Sequence, residues 1–580
     1  MRKIKYVVLI MVAVLVTVHC HVCFAQNTLY IPPALTGTTF NLNVQQGTQI
    51  FYGSTSTPTY GINSSWMAPT IIVNKGDSIT LNVTNQLTVK TTIHWHGLHV
   101  APNNDGGPHQ LINPSASWNP TFKIRNNAAT YFYHPHGAGQ TEKQISKGLA
   151  GFLIVKDSVE AALTLPRTYG VDDVPLNVQT KAFDVLQQIA IATDMDTAIF
   201  VNGTLHPNFN AHAQVIRFRL LNASSLRTYN FGLSNGQTFY QIATDGGLLD
   251  SSLALTRLRL SPGERAEILI NFSGMTGQTI FLKSFASELP NGIYGADTVG
   301  MGADTIPQYE SNFLNGADFN LLQLTVVTQT TNPVTTIPTT LIPLTPYSIG
   351  SASNFRTLIF DTIRLLPLDV PNLAEGPFGM NKRTFDMDSI NETVNLNTTE
   401  IWTLVNHTLV AHPFHIHDVQ FNVIEKSGLP TPATERGWKD VVLVMPHDSI
   451  KFITKFETFA NNTIPYMYHC HLLHHEDDGM MGQFIVSAGT TGIGEITKGQ
   501  NILVYPNPFS SGEINVSTEK LNNFKTLYSI SNLLGEALID GISTFQDNLM
   551  KINTSNLPSG IYFLKISCNN QTFITKIVKQ

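Results

Sequence analysis

Four pairs of histidines, the two members of each pair separated by one residue, constrain the fold of this chain more than any other feature. The pairs form two groups that lie far apart in the sequence: His94 and His96 with His134 and His136, and His415 and His417 with His469 and His471. Alternate residues of a β-strand point to the same face, so each pair can present two imidazoles to a metal ion. Eight imidazoles are too many for one metal ion, and a cluster of about three ions is the simplest interpretation.

A second set of metal ligands surrounds the last histidine pair. Cys470 stands between the two histidines of that pair and therefore points to the opposite face of the strand. His412 and His475 can join it, and Met480 is placed as a weak axial ligand. This set is that of a blue-copper electron-transfer site. Zinc is the rival metal for cysteine and histidine, but a structural zinc ion gives no reason for eight further imidazoles.

Strand-like patterns dominate the remaining sequence. Residues 79–84 alternate strictly between apolar and polar side chains, and residues 215–220 are similar; this period predicts strands with one buried and one wet face. Turn signals such as Asp-Gly and Pro-Gly separate these runs, and no long amphipathic helix is found after residue 25. The sequence therefore predicts an all-β protein.

Composition divides the chain into domains. The first linker is rich in Thr and Pro and the second in Gly and Thr. The block before the first linker is too long for one sandwich of about 100 residues, so it is divided near residue 159. The predicted β domains span residues 26–158, 159–327, 347–487 and 501–580, and the linkers span residues 328–346 and 488–500.

The first 25 residues predict a signal peptide. Three basic residues precede an apolar run over residues 7–18, and Ala25 stands where a signal peptidase would cut. A membrane anchor is the alternative, but the run is shorter than the roughly 20 residues that span a bilayer. Only two distant cysteines remain after cleavage, which is not the pattern of a disulfide scaffold. The formal net charge of −6 argues against a nucleic-acid partner.

The histidine motifs resemble those of a known family. They read HWHG from His94, HPHG from His134, HPFHIH from His412 and HCHLLHHEDDGMM from His469. They are similar to the motifs of the multicopper oxidases, specifically the three-domain bacterial type, over about residues 40–487. The resemblance implies three cupredoxin-like Greek-key β-sandwich domains, followed here by a small C-terminal β-sandwich. It also implies four copper ions per chain: one type 1 ion, one type 2 ion and a type 3 pair.

The resemblance also implies a role for each ligand. Type 1 copper would be bound by His412, Cys470 and His475 with axial Met480, type 2 copper by His94 and His415, and the type 3 pair by His96, His134 and His471 on one ion and His136, His417 and His469 on the other. Asp105 and Glu476 match family positions proposed to relay protons, with an ordinary turn or surface acid as the alternative.

The family's reaction is the expected activity. A donor gives single electrons to type 1 copper, the electrons pass through Cys470 to the neighbouring histidines, and four of them reduce dioxygen to two waters. The expected donor is a phenol or aromatic amine, as in laccases, because no methionine-rich segment is present and residues 408–411 lack methionine and acid. A metallo-oxidase for cuprous or other metal ions is the alternative. Residues 284–320 are a candidate donor-binding loop or an ordinary surface loop.

Two other functional classes stay open. A non-catalytic copper-binding scaffold of the cupredoxin fold would have lost copper ligands, whereas none is missing here. A copper nitrite reductase has type 1 and type 2 coppers but lacks the full set of paired histidines. Four coppers per chain would support the oxidase, and two would support the reductase.

The last 80 or so residues carry a separate pattern. Residues 504–508, 557–565 and 575–580 resemble the C-terminal sorting domain of the type IX secretion system, a small β-sandwich. The resemblance implies the type IX machinery as a partner and export through the periplasm, so that the protein is secreted or held on the cell surface. A binding or spacer module of the same fold is the alternative.

Overall fold

The computed structural model describes residues 27–300, 306–364, 372–488, 502–518, 525–533, 536–568 and 571–580. The signal peptide predicted over residues 1–25 and nearly all of the second linker lie outside these ranges. Strands make up 50% of the chain and helices 6%, which confirms the all-β fold. Within the described ranges, no helix is long and apolar enough to cross a membrane.

The first domain consists of two facing sheets. Its part of the chain contains β1 (Asn27–Thr28), β2 (Ala34–Thr36), β3 (Thr39–Ile50), β4 (Ser56–Ile62), β5 (Thr70–Asn74), β6 (Ser78–Asn85), β7 (His94–His96), β8 (Ser117–Trp118), β9 (Thr121–Lys123), β10 (Ala129–His134) and β11 (Gly151–Lys156). One sheet has the order β2-β5-β11-β10-β7, and the other has the order β4-β3-β6-β8 with β9 also paired to β6. Their inner faces enclose one hydrophobic core. Strand β1 lies apart and pairs with the second domain.

The second domain also has two sheets. Its strands are β12 (Asp173–Phe183), β13 (Ile189–Ala190), β14 (Ala198–Val201), β15 (Thr204–Leu205), β16 (Pro207–His212), β17 (Val215–Asn222), β18 (Tyr229–Leu233), β19 (Phe239–Thr244), β20 (Gly247–Leu255), β21 (Leu258–Leu260), β22 (Arg265–Asn271), β23 (Thr279–Phe285) and β24 (Asp318–Val327). The sheet orders are β15-β14-β12-β17-β22-β19-β20, with β13 on β12, and β1-β16-β24-β23-β18-β21.

The third domain repeats this plan. Its strands are β25 (Ala352–Thr362), β26 (Phe378–Met380), β27 (Glu392–Asn395), β28 (Thr398–Asn406), β29 (His412–Ile416), β30 (Phe421–Lys426), β31 (Leu429–Pro430), β32 (Val441–Val444), β33 (Ser449–Phe456), β34 (Asn461–Cys470) and β35 (Met481–Ser487). The sheet orders are β26-β25-β28-β33-β30-β31 and β27-β35-β34-β29-β32.

A small C-terminal β domain follows. Its strands are β36 (Leu503–Tyr505), β37 (Glu513–Ser517), β38 (Lys525–Ser531), β39 (Ala537–Thr544), β40 (Leu549–Asn553), β41 (Gly560–Cys568) and β42 (Gln571–Lys579). They form the sheets β36-β37-β40 and β39-β38-β41-β42 around a separate core. The described helices are short: α1 (Thr141–Ser146), α2 (Ser158–Ala161), α3 (Leu473–Asp477) and the 3-10 turns Pro102–Asn104, Ala286–Glu288, Tyr309–Ser311, Ile349–Ser351 and Ala433–Glu435.

Burial confirms one strand pattern and contradicts another. Along β6 every second residue is buried, as the alternation of residues 79–84 predicts. The expectation of a wet face for residues 215–220 is wrong, because every residue of β17 is buried. The polar side chain of Arg217 pairs with Glu267 at 2.5 Å, and Thr130 of the first domain donates to the same carboxylate at 2.7 Å. The polar face of β17 is therefore covered by the first domain rather than by water.

Strand register brings the histidine motifs together in pairs. Antiparallel pairing of β7 and β10 places His94 opposite His134. Antiparallel pairing of β29 and β34 places His415 opposite His469. The second histidine of three of the four motifs lies just past the end of its strand, so that backbone turns there aim the imidazoles.

Candidate metal centre

Eight buried imidazoles meet between the first and third domains. Ligand atoms lie within 4.8 Å of one another in three groups, which are His94 with His415 and His417, His96 with His134 and His471, and His136 with His417 and His469. The two predicted type 3 triplets thus converge, and the two residues predicted for type 2 copper lie together. Each of the eight side chains is at most 2% exposed.

The imidazoles face one another with their ring nitrogens. The Nε2 atoms of His136 and His469 are 3.1 Å apart, as are those of His136 and His417. Burial, and then repulsion between neighbouring imidazoles, holds the pKa of His136 and His415 well below the usual value, so both are neutral at neutral pH. The Nε2 atoms of His94 and His415 and both ring nitrogens of His471 have no hydrogen-bond partner.

Hydrogen bonds to the outer nitrogens fix which nitrogen faces the centre. His94 Nδ1–H donates to the Asp105 carbonyl at 2.9 Å, and His415 Nδ1–H donates to the Asp440 carbonyl at 2.8 Å. Each imidazole therefore keeps an Nε2 lone pair directed inward. Buried imidazole nitrogens that converge on one volume, several of them without a hydrogen-bond partner, fit the ligand set of copper.

A second buried set surrounds Cys470. Its Sγ lies 3.5 Å from His412 Nδ1 and 3.8 Å from His475 Nδ1, and these two nitrogens are 3.2 Å apart. Met480 is buried beside them, and its carbonyl accepts a hydrogen bond from the Cys470 backbone nitrogen at 3.0 Å. Burial raises the pKa of the Cys470 thiol, so a bound metal cation would be needed to remove its proton. This donor set also fits copper.

The two predicted proton-relay acids touch the imidazole cluster. Asp105 Oδ2 accepts from His417 Nδ1–H at 2.7 Å. The two Glu476 oxygens lie 3.5 Å from His136 Nδ1 and 3.2 Å from His469 Nδ1. Both acids are at most 2% exposed, so neither is an ordinary surface acid.

Asp440 and Arg265 support the imidazole cluster from outside, and no sequence pattern indicated them. Asp440 Oδ1 accepts from His96 Nε2–H at 3.1 Å, which leaves His96 Nδ1 directed at His134. The Arg265 guanidinium holds both Asp440 oxygens, at 2.5 and 2.7 Å, and all of these groups are buried. The two residues are far apart in sequence, and neither stands in a histidine motif.

The candidate donor-binding loop lies over the Cys470 site. Tyr294, Val299 and Tyr309 of this segment belong to the core of the third domain, and the Gly292 carbonyl accepts from the Ala411 backbone nitrogen at 2.7 Å. The segment is therefore packed onto the third domain in the described residues. Its role in donor binding stays a prediction.

Comparison with known proteins agrees with this geometry. Two multicopper oxidase family models match residues 43–160 and 363–490, and a model of the secretion system C-terminal sorting domain matches residues 503–580. The multicopper oxidase mco of Staphylococcus haemolyticus is 32% identical over 77% of this chain and 88% of its own length. The cell division protein FtsP of Escherichia coli is 29% identical over 80% of this chain and 93% of its own.

Solved structures of multicopper oxidases are also similar to this chain. A laccase-like multicopper oxidase, CueO, from Ochrobactrum sp. has a TM-score of 0.68 and 30% identity, covering 79% of this chain and all of its own. A Campylobacter jejuni multicopper oxidase described as a metallo-oxidase has a TM-score of 0.65 and 26% identity, covering 80% of this chain and 95% of its own. The fold and the two histidine-rich sets define an oxidoreductase of cupredoxin-like domains. The chain belongs to the multicopper oxidase family, and this membership implies copper binding and the use of dioxygen with an electron donor.

Proposed function

We propose that this chain holds four copper ions and couples the one-electron oxidation of a donor to the four-electron reduction of dioxygen to two waters. One observation carries the proposal: neighbouring residues of a single strand end belong to both buried ligand sets. His469 and His471 belong to the imidazole cluster, and Cys470 between them belongs to the other set. Three consecutive residues therefore join the two sites.

The proposed ligands are those brought together by the fold. Type 1 copper is assigned to His412, Cys470, His475 and axial Met480, type 2 copper to His94 and His415, and the type 3 pair to His96, His134, His471, His136, His417 and His469. Copper supplies the one-electron chemistry that protein side chains lack. The chain supplies the fixed imidazole orientations, the exclusion of bulk water and the protons.

Asp105 and Glu476 are proposed to deliver those protons. Each oxygen molecule needs four protons to become two waters, and the cluster itself is closed to bulk solvent. Asp105 and Glu476 touch the cluster from two sides, through His417 and through His136 and His469. Asp440 also contacts an imidazole of the type 3 set, 3.1 Å from His96, but the Arg265 guanidinium holds both of its oxygens.

Replacing either acid by its amide is expected to lower the rate of oxygen consumption by about 100-fold, as for the loss of a positioned proton donor. The visible spectrum of the type 1 site should stay unchanged in Asp105→Asn and Glu476→Gln, because neither residue is assigned to it. Asp478→Asn is the matched control, since Asp478 lies near Glu476 in sequence but its side chain is 48% exposed. Equal rates in all three variants would contradict the proton role.

A phenol or an aromatic amine is the proposed donor, since the chain lacks the methionine-rich segment of cuprous oxidases. A metal ion is the second candidate, and one structural observation favours it. His412 and His475 are 0% and 2% exposed, so a large organic donor does not contact either imidazole directly.

Oxygen uptake by the copper-loaded protein tests these proposals. Rates with 2,6-dimethoxyphenol, cuprous ion and ferrous ion would be compared after the copper content of the chain has been counted. Four coppers with uptake support the oxidase, and the faster donor decides between the two donor classes. Two coppers per chain would indicate a nitrite reductase, and a copper-loaded chain that consumes no oxygen with any donor would be a scaffold.

The C-terminal domain is proposed to direct secretion to the cell surface or the medium through the type IX machinery. A chain that ends after residue 488 is expected to keep its copper content and oxygen consumption, because all proposed ligands precede that residue. It should accumulate in the periplasm instead of leaving the cell. Fractionation of cells that express the full and shortened chains measures this, and equal export of both would contradict the sorting role.

A further inference from the structure

The outer nitrogen of His475, in the type 1 set, is covered by a tyrosine. His475 Nδ1 faces Cys470 and His412, and its other nitrogen, Nε2, lies 3.2 Å from the Tyr294 hydroxyl. The two ring centroids are 5.7 Å apart with an interplanar angle of 70°. Tyr294 is 6% exposed, and it comes from the second domain whereas His475 comes from the third. A Nε2–H donating to this hydroxyl leaves the Nδ1 lone pair directed at Cys470.

Tyr294 separates His475 from a narrow surface cleft. The cleft is lined by Asp194, Leu226, Arg227, Tyr294 and Tyr309, and its volume of about 10 Å³ holds about one water molecule. Phe378 closes the other side of the imidazole, with its ring centroid 4.6 Å from that of His475. An aromatic donor therefore cannot enter far enough to touch His475.

The backbone holds Tyr294 in this place. Its carbonyl accepts from the Thr228 backbone nitrogen at 2.9 Å. The next residue, Gly295, has a φ of +103°, which a residue with a side chain rarely adopts. The Gly295 nitrogen donates to the Tyr309 hydroxyl at 2.8 Å, and this hydroxyl donates to the Ala296 carbonyl at 2.9 Å. The tyrosine is thus fixed by bonds on both sides rather than carried on a loose loop.

We propose that Tyr294 is a positioning and specificity-determining residue at the point where electrons enter the type 1 site. The inference rests on the proposed function. The ring keeps bulky aromatic donors away from His475, so that a donor delivers its electron across Tyr294 and not by contact with the imidazole. The hydroxyl accepts the Nε2–H bond and so fixes the orientation of His475. Tyr294 itself is neither oxidised nor reduced.

Two substitutions separate the two roles in the copper-loaded full chain. Tyr294→Ala removes the ring, and we expect the ratio of kcat/KM for 2,6-dimethoxyphenol to that for ferrous ion to rise by about tenfold. Tyr294→Phe keeps the ring, and we expect the donor ratio to stay as in the natural protein. Loss of the acceptor for His475 Nε2–H should raise the type 1 reduction potential in Tyr294→Phe, because the imidazole becomes a weaker electron donor to the metal.

Tyr169→Phe is the matched control, because its part-buried hydroxyl donates to the Pro32 carbonyl at 2.8 Å and contacts neither Tyr294 nor a proposed ligand; the type 1 potential of this variant should stay unchanged. An unaltered donor ratio in a folded Tyr294→Ala variant would overturn the shielding role. An unaltered potential and visible spectrum in Tyr294→Phe would overturn the positioning role. If the natural protein consumes no oxygen, the proposed function fails, whereas the potential of Tyr294→Phe still decides whether the hydroxyl acts on His475.

Discussion

Replacing Cys470 by serine should remove the blue colour of the loaded protein and lower oxygen consumption by at least about 100-fold. A serine hydroxyl is a hard, weakly acidic group and does not replace a thiolate at a copper site. The change also removes the sulfur that lies within 3.8 Å of both type 1 histidines and that links them to the cluster. Visible absorption, oxygen uptake and the copper content of the chain measure the effect.

The copper content should fall by one ion per chain, because the eight imidazoles of the cluster are untouched. Cys568→Ser is the matched control, since Cys568 is the other cysteine outside residues 1–25. This variant should keep the colour and the activity. Blue colour retained in Cys470→Ser would place the type 1 site elsewhere.

Replacing Arg265 by methionine is expected to destabilise the protein by about 3–5 kcal/mol, the usual effect of removing one partner of a buried ion pair. Asp440 would be left buried without the guanidinium that holds both of its oxygens. Its hydrogen bond with His96 would then no longer be fixed, and copper affinity at the cluster should fall by about 10–100-fold. Urea unfolding of the metal-free protein and copper titration measure the two effects.

Arg257→Met serves as the control for Arg265. The Arg257 Nε lies 2.7 Å from Glu288, but the two side chains are 31% and 44% exposed. An exposed pair of this kind contributes about 0–1 kcal/mol, so this variant should unfold close to the natural protein and bind copper normally. Equal losses of stability in the two variants would show that the buried Arg265–Asp440 pair contributes no more to the free energy of unfolding than an exposed pair does.

The sequence alone predicted the part of the molecule that depends on local periodicity. The i and i+2 spacing indicated that the imidazoles act in pairs, and the fold brings them together in groups of three. The predicted shared strand face holds for His94 and His96, whereas His136, His417 and His471 lie past their strand ends. The opposite direction of Cys470 followed from the same parity. The roles of these residues in copper binding stay predictions. The resemblance indicated their convergence, whereas the spacing alone did not indicate the turns that place the second histidine of three motifs.

What the sequence did not predict depends on contacts between domains. Asp440 and Arg265 lie on different domains, and neither has a spacing that indicates the other. Tyr294 lies in a segment without periodicity, where a tyrosine gives no sign of what it will contact. Arg217 was expected on a wet face because residues 215–220 alternate between apolar and polar side chains. It instead pairs with Glu160 and Glu267, and Thr130 of the first domain covers the Glu267 carboxylate.

Because the imidazole cluster lies between domains, a metal ion can bind to the complete cluster only after the first and third domains have folded and docked. Two histidine motifs come from β7 and β10 and two from β29 and β34, so no single domain can retain the cluster's metal by itself. A bound ion would therefore act as a cross-link that closes most of the polypeptide into one loop and opposes its opening. Copper supply would then govern mechanical integrity and resistance to proteases as well as turnover.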